Sequence, residues 1–128
     1  MNFSYAAAMT CAMLVLYVVF TMNAGRMRDK TGVKAPAVVG HPDFERAYRV
    51  QMNTLEWMAV ALPTLWIYAL LGSAIWASAA GALWIVGRII FALGYIKDPA
   101  KRRNGMMITM MAQIWLLGGA IWAIVISL

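Results

Sequence analysis

Four long apolar runs separated by short polar stretches set the pattern of this chain. Residues 3–24 carry no charge, residues 54–71 hold Glu56 near their start, residues 74–96 hold Arg88, and residues 106–128 are again uncharged. A helix needs about 20 mostly apolar residues to cross a bilayer, so each run predicts one transmembrane span. Between them lie residues 25–53, the link Leu71-Gly72-Ser73 and residues 97–105. The predicted fold class is all-α: one domain over residues 1–128, an integral membrane four-helix bundle.

Composition agrees. The chain is 63% hydrophobic and 12% charged, about half the charged share of an ordinary soluble domain. The net charge of +6 raises nucleic acid as a partner, but the placement of the charges answers differently. Six cations (Arg26, Arg28, Lys30, Lys34, Arg46, Arg49) fall in the first connection and four (Lys97, Lys101, Arg102, Arg103) in the third, with none in the second or in either tail. Lys and Arg gather on the cytoplasmic side of membrane proteins. Loops 25–53 and 97–105 are therefore expected in the cytoplasm, with both termini outside and no nucleic-acid partner. The N-terminus lacks the basic start of a signal peptide, and its apolar run is too long for one. The compact length and short loops point to a bacterial inner membrane. In the first span Ala6, Ala7, Ala8 and Ala12 read as a helix built for close packing. Gly118-Gly119 in the last span reads the same way, and Cys11 is a small buried or lipid-facing hydrophobe.

The candidate chemistry begins where the second span does. At 100° per residue Arg49, Asn53 and Glu56 share one helix face within about 60°. A cation, an amide and a carboxylate thus descend into an apolar segment, and charge at that depth needs a partner or a function. On the third span Arg88, Phe91 and Tyr95 share a face. Helical rise puts Arg88 about 12 Å below Ile96, and Glu56 about 10 Å along from Arg49. Two readings remain open: a site for an anion, or an Arg88–Glu56 ion pair that only neutralises itself. The first-loop cations have a bland role as anchors to anionic head groups, and a sharper one in which Arg26 or Arg28 closes over an anionic ligand. His41, between Gly40 and Pro42, reads as a loop residue, and Asp43 as an N-cap or first-turn acid of the next helix. With no second His and no carboxylate cluster, no metal is expected.

These residues carry a resemblance. The run Phe44-Glu45-Arg46-Ala47-Tyr48-Arg49-Val50-Gln51-Met52-Asn53-Thr54-Leu55-Glu56 resembles the signature of the MAPEG superfamily, membrane-associated proteins in eicosanoid and glutathione metabolism. Gly87-Arg88-Ile89-Ile90-Phe91-Ala92-Leu93-Gly94-Tyr95 resembles the second motif of that family, and length and span placement match over essentially the whole chain. The resemblance implies a homotrimer of four-helix bundles with glutathione between subunits near the cytoplasmic face. It assigns Arg49, Gln51, Asn53 and Glu56 to a glutathione cradle, with Arg88 and Tyr95 from the third span and Arg28 or Arg26 from the loop. Arg102 takes the place of the arginine that stabilises the glutathione thiolate, with Arg103 as fallback. Phe91 stands where several members have Tyr, and Trp57 where the leukotriene C4 synthase type has Tyr. Two hydroxyls are lost, which argues against the specialised eicosanoid synthases.

The implied activity is that of a glutathione S-transferase, with peroxidase as a companion activity. Glutathione, a co-substrate, brings two carboxylates, an ammonium and a thiol. Arginine forks suit the carboxylates, and a guanidinium beside the sulfur favours the thiolate. Hydrophobic electrophiles or lipid hydroperoxides would arrive through the bilayer. The alternative is a non-catalytic lipid- or partner-binding scaffold of the same fold. A four-span drug/proton transporter needs a carboxylate in its first span, and residues 3–24 have none.

Overall fold

A computed structural model describes residues 2–128. It contains four long helices: α1 (Ser4–Thr31), α2 (Pro42–Leu71), α3 (Ala74–Lys97) and α4 (Arg103–Ser127). A 3-10 turn, Pro99–Arg102, lies between the last two. All four are long and apolar enough to cross a membrane. The protein is a membrane four-helix bundle.

The helices run past the apolar runs. α1 is 28 residues and α2 30, about 42 and 45 Å at the helical rise, against a hydrocarbon layer of about 30 Å. The stretch read as a loop over 25–53 is accordingly mostly helix, and only residues 32–41 connect α1 to α2. The reason is local. Gly32 takes a left-handed conformation (φ 77°) and returns its N–H to the Arg28 carbonyl, which ends α1. His41 is no passive loop residue: its Nδ1 accepts the Asp43 N–H at 3.1 Å as the N-cap of α2. Pro42 follows in the first turn, where a missing N–H does no harm, with Asp43 and Glu45 toward the positive end of the helix dipole. From there Phe44, Ala47, Val50, Thr54, Met58, Ala61 and Leu65 are buried at spacings of three and four, one continuous inward stripe. Pro63 leaves α2 unbroken; next to it the Thr64 hydroxyl donates to the Val60 carbonyl at 2.8 Å.

At the other end Ser73 caps α3, its hydroxyl accepting the Trp76 N–H at 3.2 Å. α3 and α4 pack most closely. A Cβ on Gly87 would lie 2.7 Å from the Thr109 nitrogen, and one on Gly105 would overlap the Phe91 backbone. Gly119 faces the Tyr68 ring with no room for a side chain, whereas Gly118 looks into open space, so one glycine of that pair makes the close contact. Trp84, Leu65, Leu116 and Met13 fill the centre. α1 departs from its packing reading. Within the single chain only Ala6, Met13 and Ala24 of it are buried, while Ala7, Ala8, Ala12 and Cys11 face outward.

Candidate functional site

The basic ends of α2, α3 and α4 converge on a cavity of about 260 Å³ lined by Arg49, Asn53, Phe91, Tyr95, Arg102 and Met106. Each wall has a local cause. α2 presents Arg49 and Asn53 four residues apart, hence on one face. The Arg49 Nη2 lies 3.3 Å from Glu56 Oε1, two turns along, with both side chains about half exposed. α3 supplies Phe91 and Tyr95, whose rings stack at 5.4 Å between centroids and 24° between planes.

The third wall depends on two glycines. Gly105 lets the first turn of α4 settle directly on the Phe91 backbone, and Gly94 sits against the Lys101 carbonyl with no room for a Cβ. The 3-10 turn between them is held by Asp98, whose carboxylate accepts the Ala100 N–H at 3.0 Å. This tight return swings Arg102 back over the cavity. On the opposite side Arg46 reaches from α2 to the last carbonyls of α3, at 3.4 Å to Ile96 and 3.3 Å to Lys97. Arg46, Gly94, Gly105 and Met106 are absent from the sequence-based site. Arg46 and Gly94 lie inside the runs that carry the resemblance without a role assigned to them. Gly105 and Met106 had only Asn104-Gly105 at the mouth of an apolar run, which reads equally well as an ordinary turn.

Beneath the cavity lies Arg88, with no exposed surface. Both of its terminal nitrogens donate to Asn53 Oδ1 at 2.9 Å, and its guanidinium sits 4.3 Å over the Phe91 ring. The Arg88–Glu56 ion pair, one of the two readings left open by the sequence, does not form. Glu56 is taken by Arg49, and Asn53, a turn nearer the membrane edge, reaches Arg88 instead. Arg88 therefore props the Asn53 amide and the Phe91 ring rather than lining the cavity itself.

The remaining predicted residues lie elsewhere in the chain. Gln51 points off the opposite face of α2, its amide 3.4 Å from the Tyr17 hydroxyl on α1. Arg28 donates to the Ala37 carbonyl at 2.7 Å and covers the Phe44 ring at 4.4 Å, tying down its own loop. Arg26 is exposed, 3.3 Å from Asn23. Arg103 faces a second, outer hollow together with Arg102.

Around the cavity stand three guanidinium groups (Arg49, Arg88, Arg102) and one carboxylate. The Arg49–Glu56 contact is the one ion pair among the described residues, so Arg102 faces the cavity with its charge uncompensated. The cavity shares Arg102 and Met106 with an outer hollow that Met107, 51% exposed, also lines. It is a cation-lined pocket in an apolar bundle.

Residues 5–122 match the MAPEG family. The chain belongs to that family. Among MAPEG relatives, an uncharacterized protein of Synechocystis sp. is 41% identical over 120 residues, covering 94% of this chain and 88% of the relative. Human microsomal glutathione S-transferase 2 is 34% identical over 101 residues, 77% of this chain and 69% of the human protein. Guinea-pig (Cavia porcellus) leukotriene C4 synthase is 29% identical over 111 residues, 87% of this chain and 73% of the synthase. Of the residues that carried the resemblance, Asn53 and Arg88 meet directly, whereas Gln51 lies against Tyr17 on α1.

Proposed function

We propose that the protein is a membrane glutathione transferase with an accompanying peroxidase activity, and that glutathione binds in the cavity at the basic end of the bundle. The reading rests on one observation above the rest: Arg102, free of any acidic partner among the described residues, lines the same cavity as Arg49, Asn53 and Tyr95. Carboxylates of the tripeptide match Arg49 and the Asn53 amide, its ammonium matches Glu56, and its sulfur lies toward Arg102. A guanidinium beside a thiol in a partly dry site lowers the thiol pKa. The resulting thiolate attacks an electrophilic carbon and expels its leaving group. It can instead attack a hydroperoxide oxygen, which releases an alcohol and leaves an oxidised sulfur for a second glutathione to reduce to the disulfide. The apolar substrate enters from the bilayer, where such compounds concentrate.

We further propose that the working unit is a homotrimer in a bacterial inner membrane, with termini outside and the basic end in the cytoplasm. Gln51 and Arg28 point away from the cavity of their own chain. The proposed trimer assigns them to a neighbour's cavity, so that the site is completed between subunits.

Detergent-purified protein supplies the test. Glutathione should bind at millimolar concentration with the ultraviolet absorbance of a thiolate, and an aryl halide and an organic hydroperoxide should both turn over. Binding of lipid-like ligands with no glutathione binding and no turnover would instead establish the scaffold reading.

A further inference from the structure

A hollow of about 470 Å³ lies outside the cavity, around the turn that leads into α4. Pro99, Ala100, Arg102, Arg103, Met106 and Met107 line it. Its chemistry is two-sided. At the top, Arg102 and Arg103 carry guanidinium groups with no acidic partner among the described residues. The one acid of that segment, Asp98, has its carboxylate on the Ala100 N–H. At the bottom, Met107 opens onto an exposed apolar stripe that continues through Met111 and Ile114, 51%, 62% and 69% exposed. Spacings of four and three keep these on one helix face, and the stripe reaches Gly118, where nothing lies within 4 Å. From Met107 to Gly118 the helix rises about 16 Å, close to the half-thickness of a hydrocarbon core about 30 Å across.

We propose that this hollow is a binding site for an anionic phospholipid of the surrounding leaflet. The phosphate sits on Arg103, with Arg102 beside it turned to the inner cavity, and an acyl chain lies along Met107, Met111 and Ile114. A free phosphate would satisfy the arginines and leave the stripe unused, a lipid without phosphate would do the reverse, and in phosphatidylcholine the choline cation already offsets the phosphate. Paired guanidinium groups above one leaflet's depth of apolar helix match a ligand that has both parts. Because Arg102 and Met106 also line the inner cavity, lipid in the outer hollow shares a wall with whatever the cavity holds. The site does not depend on what that ligand is.

Native mass spectrometry of delipidated protein in a neutral detergent tests the proposal, with phosphatidylglycerol, phosphatidylcholine, glycerol 3-phosphate and inorganic phosphate as probes. Phosphatidylglycerol should bind at least fivefold more tightly than phosphatidylcholine, and neither small phosphate should displace it at equal concentration. Arg103→Gln should weaken phosphatidylglycerol about fivefold, the share of one interfacial cation, and weaken phosphatidylcholine, whose choline offsets its phosphate, by clearly less. Arg103→Lys should recover most of the loss. Lys34→Gln removes an equal charge from the other connection and should have no effect. Equal affinity for the two lipids, displacement by a small phosphate, or equal losses in Arg103→Gln and Lys34→Gln would each overturn the assignment.

Discussion

Replacing Arg102 by alanine removes the cavity's one uncompensated exposed cation, and the consequence for a bound thiol can be worked out in advance. A thiolate about 4 Å from a guanidinium gains about 4 kcal/mol at an effective dielectric of 20 and about 1 kcal/mol in bulk water. Arg102 is exposed and the cavity is half open, so the working value lies between these, about 2 kcal/mol. At 1.36 kcal/mol per unit, that lowers a thiol pKa from about 8.5 to about 7. At pH 7 the thiolate fraction then rises from about 3% to about half. The sign follows: the anion persists above pH 7 and is lost as pH falls through the lowered value. In Arg102→Ala that midpoint moves back to about 8.5, and turnover at pH 7 drops roughly fifteenfold, the ratio of the two fractions. The assay is a pH titration of thiolate absorbance at saturating glutathione, alongside the pH–rate profile for an aryl halide. An unmoved midpoint in Arg102→Ala would refute the reasoning. A shift in Arg103→Ala without one in Arg102→Ala would transfer the role to the outer arginine.

Asn53→Ala strands the buried Arg88 fork, and hydrogen bonds to charged groups contribute about 1.5–3 kcal/mol each. The variant should lose about 3 kcal/mol of stability, while Asn53→Asp, which still accepts from both nitrogens, keeps its thermal midpoint in detergent; equal loss in both would show that the amide nitrogen matters instead. Gly105→Ala drives a Cβ into the Phe91 backbone and should cost about 1–3 kcal/mol as overpacking. Gly118→Ala, facing open space inside α4, should unfold at or slightly above the wild-type temperature, because alanine favours helix over glycine, and the pair can be compared in one melting experiment. Gln113 is 6% exposed on α4, and neither its amide nitrogen nor its amide oxygen meets a partner among the described residues. Gln113→Leu should therefore be neutral or raise stability by about 1 kcal/mol; a clear fall in the thermal midpoint would contradict it.

The bundle was legible because its signal is coarse: four apolar runs of sufficient length leave few other solutions in lipid. The Arg49–Asn53–Glu56 face was legible for a similar reason, since helical periodicity alone groups those side chains. What lay beyond the sequence was pairing across helices. Arg88 and Glu56 sit at depths that allow contact, but the azimuth of α3 against α2 is set by packing, and it brings Arg88 under Asn53. The outer reach of α1 and α2 was hidden because helix outside the membrane needs only an inward apolar stripe, which Phe44, Ala47 and Val50 supply amid charged neighbours. The turn that delivers Arg102 rests on Gly94 and Gly105, whose role is a missing Cβ and leaves no mark in composition or charge.

The double grip of Arg88 on Asn53 has a consequence for anyone wishing to retune this protein. The amide that lines the cavity is also the bolt that joins the second helix to the third. Selectivity can be adjusted at that position only by a side chain that still accepts from both Arg88 nitrogens. Variation in what the molecule accepts should instead collect at Arg49, Tyr95 and Met106, which touch the cavity and leave that joint alone.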